Sequence, residues 1–305
     1  MEDWKTLIRK TKKDLKLLAV DYDGTLFNGS SSSLNHKAAA SLLLKVLRKG
    51  VHVVVISARD ASFRKNVIPL LQPFLHQNNS TCYFGGANGT YLTKVRANSL
   101  KKIYSYRMSV AEVRNILQVY DEIRQELKLE PRDYITQGIQ SFEAFLRDPK
   151  QWQGFISRTM LQWSQQYDGA LFIEQSKISC VLPKKQQIQN KLLKQLKRHL
   201  GERYNIKGDN IFTHISKNIY EGNKKIDNKL YALKTVMNEL GISKKNVVAF
   251  GDAPNGNDEA ILKYAQTSFT NDSHYIMKRN TSPFYIPGKV NSVKKVHLTI
   301  ERIIE

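Results

Sequence analysis

The chain has 305 residues, 41% of them hydrophobic and 25% charged, which excludes wholesale disorder and leaves room for two domains with a core each. Lys and Arg outnumber Asp and Glu by 48 to 27, a net charge of +21, yet the basic residues are spread in short groups such as Lys10/Lys12/Lys13, Lys184/Lys185 and Lys224/Lys225. Without a basic tail no specific nucleic-acid partner is expected, and Cys82, Cys180 and seven scattered histidines form neither a disulfide framework nor a zinc motif.

The opening residues, Met1-Glu2-Asp3-Trp4-Lys5, are too charged for a signal peptide, and the longest apolar runs, Val53–Ile56 and Val247–Phe250, are strand-sized. A cytoplasmic protein with no membrane partner is expected. Residues 16–27 read as an apolar strand running into Asp21, Asp23 and Gly24. A polar loop, Asn28–Ser33, precedes a helix capped by Asn35 that ends at Lys49 before Gly50. The β-branched run Val51–Ile56 predicts a strand buried on both faces, with Ser57 at its end. A helix over about Ala61–Leu75, a strand near Tyr83 and the turn Gly85-Gly86-Ala87-Asn88-Gly89 follow.

From about residue 90 the strand-helix rhythm changes. Helices are predicted at Ser109–Leu127, Pro149–Gln166 and Lys184–Gly201, with strands at Ile103–Met108, Ala170–Gln175, Ile178–Leu182 and Ile211–Ile215. The aromatics and glutamines of Gln151–Tyr167 fall at helical spacing and read as core and solvent face. The first rhythm returns with a helix over Ile226–Leu240, a strand Asn246–Phe250, a helix from Asp258, a strand Thr267–Phe269 and a helix Ser292–Ile303. The expected fold is α/β, a doubly wound, Rossmann-like parallel sheet core with an inserted α+β unit. Its expected limits are 1–90 and 216–305 for the core and 91–215 for the insertion.

Asp21, Ser57 and Asp252 each follow directly on a predicted parallel strand, the edge where such sheets bind ligands. Asp21 is the candidate nucleophile for in-line attack on a phosphoryl group, with a cation offsetting the repulsion between two anions. Asp23, two residues on, is placed to give a proton to the leaving oxygen and later to take one from water.

These residues carry a resemblance. Asp21-Tyr22-Asp23-Gly24-Thr25 resembles the Asp-x-Asp-Gly-Thr motif of the haloacid dehalogenase-like phosphatases. The resemblance implies that the Asp21 side chain and the Asp23 carbonyl hold Mg²⁺, with Gly24 and Thr25 shaping the phosphate-binding loop. Ser57, in Ile-Ser-Ala-Arg, matches the family's phosphoryl-binding hydroxyl, and Arg59 is either a substrate contact or a surface residue. Lys224, Lys225 and Lys229 compete for the family's lysine; Lys229 is chosen because Lys-Leu-Tyr-Ala-Leu is in register with Lys-Gly-x-Ala-Leu, although Leu230 replaces the glycine.

Gly251-Asp252-Ala253-Pro254-Asn255-Gly256-Asn257-Asp258 is similar to Gly-Asp-x-x-Asn-Asp with two extra residues. Asp252 is thereby a Mg²⁺ ligand. The supporting role falls to Asn255 or to Asn257 with Asp258, and Asp258 is favoured as a second acid. The insertion between the second and third motifs resembles the Cof-type branch, in which the inserted unit is a cap that selects substrate. That implies a Mg²⁺-dependent phosphomonoester hydrolase acting on a small phosphorylated substrate such as a sugar phosphate. The rival expectations are a phosphotransferase or mutase of the same branch, and a catalytically silent nucleic-acid- or partner-binding protein on this fold.

Overall fold

The structure, a computed structural model, describes residues 4–28, 33–58, 61–76, 80–129, 171–173, 176–208, 212–272, 284–286 and 292–305. In chain order its strands are β1 (Leu17–Val20), β2 (His52–Ile56), β3 (Cys82–Gly86), β4 (Tyr91–Val95), β5 (Leu100–Ser105), β6 (Leu171–Ile173), β7 (Lys177–Val181), β8 (Tyr204–Gly208), β9 (Phe212–Lys217), β10 (Ile219–Glu221), β11 (Lys224–Ile226), β12 (Val247–Gly251), β13 (Thr267–Thr270) and β14 (Phe284–Tyr285). Two compact units result: Met1–Ser105 together with Ile226–Glu305, and Tyr106–Lys225 between them.

The discontinuous unit is built on an eight-stranded sheet in the order β14-β13-β12-β1-β2-β3-β4-β5. Neighbours from β14 to β3 run parallel, and β4 and β5 fold back antiparallel. Residues 91–105, placed with the insertion on sequence, therefore lie in the large sheet. Tyr91-Leu92-Thr93-Lys94-Val95 lacks the continuous β-branched run of a doubly covered strand, which is why the sequence rhythm breaks there although the sheet does not.

Both faces of the parallel part are covered. Leu18 and Val20 of β1 join one apolar cluster with Val53, Val55, Val248 and Phe250, while Leu17 and Ala19 join another with Val54, Ile56, Val247 and Ala249. Successive strand side chains point to opposite faces, so an all-apolar strand is what burial on both sides demands. Helices Trp4–Asp14, Ser33–Arg48 and Ser292–Ile304 feed the first cluster; Asn228–Leu240 and Glu259–Tyr264 feed the second. This is the expected doubly wound sheet.

Two local expectations are corrected. The single helix over Ala61–Leu75 is broken into Ala61–Asn66, Ile68–Leu71 and a tight turn Gln72–Phe74, because Pro69 and Pro73 have no amide hydrogen to continue it. Asn35 lies inside the helix Ser33–Arg48 rather than capping it, and its side chain donates to Asn28.

The inserted unit holds a four-stranded sheet, β6-β7-β9-β8, antiparallel throughout. Ile178, Cys180 and Ile215 pack against Ile116 and Tyr120 of the helix Val110–Glu126 and Leu192 and Leu196 of the helix Gln186–Leu200. Ser109 and Glu112 close the first of these helices with a reciprocal capping box. The expected helix Pro149–Gln166, with its aromatic and glutamine residues, lies outside the described residues. Among the described residues no helix is long and apolar enough to cross a membrane.

Candidate active site

Strands β13, β12, β1 and β2 are neighbours and parallel, so their carboxyl ends share one edge. Val20 is level with Phe250 and with Val55, and Gly251 with Thr270. The register therefore delivers Asp21, Ser57, Asp252 and Asn271 to that edge as each strand ends. The Asp21 amide donates to Phe250 O at 3.0 Å, continuing the ladder one residue past β1.

Lys229 comes from a helix that packs on one face of the sheet. Asp227 caps the helix Asn228–Leu240, accepting from the amides of Lys229 and Leu230, so Lys229 stands in the first turn. There its ammonium feels the positive end of the helix and needs anions nearby. They are present: Lys229 Nζ lies 2.6 Å from Asp21 Oδ1 and 2.6 Å from Asp258 Oδ1. Both pairs are buried, with side-chain exposures of 1% for Lys229, 4% for Asp21 and 0% for Asp258. The competing Lys224 and Lys225 are exposed, and Lys225 donates to the Gly201 carbonyl.

The cluster holds more acid than one lysine balances. Oxygens of Asp21, Asp252 and Asp258 lie within 4.8 Å of one another. Burial pushes the Asp21 carboxyl well above the ordinary range; Lys229 opposes the rise, and Asp258, Asp252 and Asp23 add to it. Burial and then Asp258 raise Asp252 from 3.8 to about 8. Burial alone would lower the Lys229 ammonium, but Asp21 and Asp258 outweigh it and hold it above the usual lysine range. An all-oxygen set rich in carboxylates fits a hard divalent cation, which would offset both the cost of burying these charges and their mutual repulsion.

The loop after β1 is shaped for close approach. Gly24 has φ +75°, and a Cβ there would stand 2.1 Å from Asp252 Oδ2. Only glycine lets the backbone lie against that carboxylate. The Gly24 amide donates to Phe27 O at 2.7 Å, and its carbonyl accepts from Asn271 Nδ2 at 2.8 Å. Thr25 is fully buried in the same loop. The Asp23 carboxylate turns toward Ser57, whose hydroxyl donates to Asp23 Oδ2 at 3.3 Å.

After Asp252 the loop that carries the two extra residues turns back on itself. Asp258 reaches back, accepting from the Ala253 amide at 3.0 Å through its second oxygen. Asn255 is exposed and Asn257 is half-buried. Arg59 lies outside the described residues. Sequence reasoning missed Asn271, although one signal was available: like Asp21, Ser57 and Asp252, it is a polar residue directly after a strand of this sheet.

Buried carboxylates and a lysine at the carboxyl edge of a parallel α/β sheet stand where such sheets bind their ligands, and they define the chain as an α/β protein with a charged, ligand-binding edge. The sequence model of the haloacid dehalogenase-like hydrolases matches residues 18–275, and the chain is an enzyme of that family. No curated protein matches it in sequence. Among solved structures, a haloacid dehalogenase-like hydrolase from Bacteroides thetaiotaomicron is 17% identical with a TM-score of 0.57, covering 95% of this chain and 99% of that one. One from B. subtilis is 16% identical, TM-score 0.57, with 94% and 99% covered. The IMP-nucleotidase of Plasmodium falciparum, in an IMP-bound mutant form, is 15% identical, TM-score 0.59, with 98% and 69% covered. At these identities the likeness is one of fold.

Proposed function

We propose that this hydrolase is a Mg²⁺-dependent phosphomonoesterase that forms an aspartyl-phosphate on Asp21. The reading is carried by the buried contact of Lys229 with Asp21 and Asp258 beside Asp252. A lysine so placed screens a carboxylate from its neighbours and presents positive charge where an incoming phosphoryl group would gather negative charge.

In this mechanism an Asp21 oxygen attacks phosphorus while the bond to the leaving oxygen breaks, and Asp23 gives its proton to the departing alkoxide. Lys229 and the Ser57 hydroxyl hold the phosphoryl oxygens, with Gly24 and Thr25 setting the loop around them. Asp23, now ionised, takes a proton from water as that water attacks phosphorus, and Asp21 leaves as carboxylate. Asp21, the Asp23 carbonyl and Asp252 would hold Mg²⁺, supported by Asp258 and Asn257. Bound there, it supplies the charge that offsets repulsion between nucleophile and phosphate. We assign selection of the leaving group to the unit Tyr106–Lys225, and the substrate class to small phosphorylated metabolites, sugar phosphates first.

The test is phosphate release from a panel of sugar phosphates and nucleoside monophosphates, with Mg²⁺ or EDTA, for wild type and Asp21→Asn. Release should require Mg²⁺ and fall on the order of 10³-fold or more in the variant, which keeps the shape and loses the attacking charge. Equal activity in Asp21→Asn would remove the nucleophile from the scheme. A phosphorylated acceptor in place of free phosphate would make the enzyme a transferase.

A further inference from the structure

The turn that follows β3 has an unusual backbone. Ala87 has φ 48° and Asn88 φ 58°, adjacent left-handed residues that are not glycine. Side chains crowd the backbone in that region; asparagine tolerates it better than most residues, and β-branched residues scarcely adopt it. Strain of this kind persists only where the surroundings fix it.

The surroundings here are Ser57 and the start of the helix that carries Lys229. The Asn88 amide donates to Ser57 O at 2.8 Å, and the Ser57 amide donates to Gly85 O at 2.9 Å. Ser57 is thus gripped through both of its backbone groups by one five-residue stretch, Gly85-Gly86-Ala87-Asn88-Gly89. On the far side, Gly89 lies so close to the helix start that a Cβ would meet Asn228 O at 2.4 Å. Tyr104 Oη donates to Gly89 O at 2.9 Å, and Thr90 Oγ1 donates to Ala87 O at 3.0 Å. The turn is wedged between the two segments that carry Ser57 and Lys229.

We infer that Asn88 is a positioning residue for phosphoryl transfer: its left-handed backbone aims an amide at the Ser57 carbonyl and so sets the direction of the Ser57 hydroxyl. The inference rests on the reading of Ser57 as a phosphoryl-binding group. The side chain of Asn88 is secondary to its backbone. Its carboxamide oxygen is buried and meets no donor among the described residues, so deleting it forfeits no bond there.

The experiment measures kcat/KM for p-nitrophenyl phosphate with Mg²⁺ in Asn88→Gly and Asn88→Val, each alone and combined with Ser57→Ala. Glycine keeps the left-handed turn and should stay within about threefold of wild type, whereas valine cannot hold it and should lose on the order of 10- to 100-fold. If the loss acts through Ser57, it should shrink to under about threefold once the hydroxyl is gone. An equal valine effect in both backgrounds, or a glycine loss as large as the valine loss, overturns the inference. Should Asn88→Val fail to fold, Asn88→Ala takes its place in the same cycle.

Amide hydrogen exchange separates this idea from the enzymatic reading. Protection at Ser57 and residue 88 should fall in the valine variant and persist in the glycine variant, whether or not the protein turns over substrate. Unchanged protection in the valine variant refutes the clamp, while absence of phosphate release from any substrate refutes only the phosphatase assignment.

Discussion

Raising the pH from about 6 to about 8 should tighten Mg²⁺ binding about fifty-fold, because protons and the cation compete for the same oxygens. Asp252, raised to about 8 by burial and by Asp258, sets the scale. At pH 6 such a carboxyl is protonated about a hundred times more often than not, and at pH 8 about half the time, so the apparent affinity gains about 2 kcal/mol. Without metal the sign reverses. The folded chain keeps a proton at Asp252 that the unfolded chain has released, so stability is full below 3.8 and falls as pH rises through about 8. Thermal melts across Mg²⁺ concentrations at several pH values would show both trends, and Asp252→Asn should weaken them, leaving the part carried by the raised Asp21 carboxyl. A Mg²⁺ affinity that moves less than about threefold over that interval would refute the placement of a proton-holding Asp252 in the cation site.

Lys229→Met should destabilise the protein by about 3–5 kcal/mol in chemical denaturation, since it leaves two buried carboxylates without their cation, and should abolish phosphate release. Part of the lost stability should return with saturating Mg²⁺. Asn271→Ala removes the bond to Gly24 O and should cost about 1 kcal/mol, with kcat/KM falling more than KM rises because the loop beside Asp252 loosens.

Much of this site was legible because the fold writes it plainly. β1, β12 and, after His52, β2 are apolar runs, each followed by a small or acidic polar residue, and that punctuation marks the edge of a doubly covered sheet. Asp258 was legible by chemistry: it is the first acid after Asp252, and the structure buries it against Lys229. Asn271 carried only the weaker signal of its place after a strand, and Asn88 none, because their contacts are with Gly24 and Ser57, partners remote in sequence, and Thr-Asn-Asp-Ser or Gly-Ala-Asn-Gly reads locally as a turn. The position of β4 and β5 was hidden for a related reason. An antiparallel meander at the rim of a parallel sheet has the same alternation as the strands of a separate unit.

The partnership of β1 with β12 carries a consequence for biogenesis. Leu17 pairs with Val247, so the middle of the large sheet stays unzipped during synthesis until β12 has left the ribosome. Until then β1 has a raw flank lined with unmatched amides and flanked by grease, the kind of surface to which chaperones bind and on which nascent chains clump. Catalytic competence and safe burial of that flank therefore arrive in the same late event.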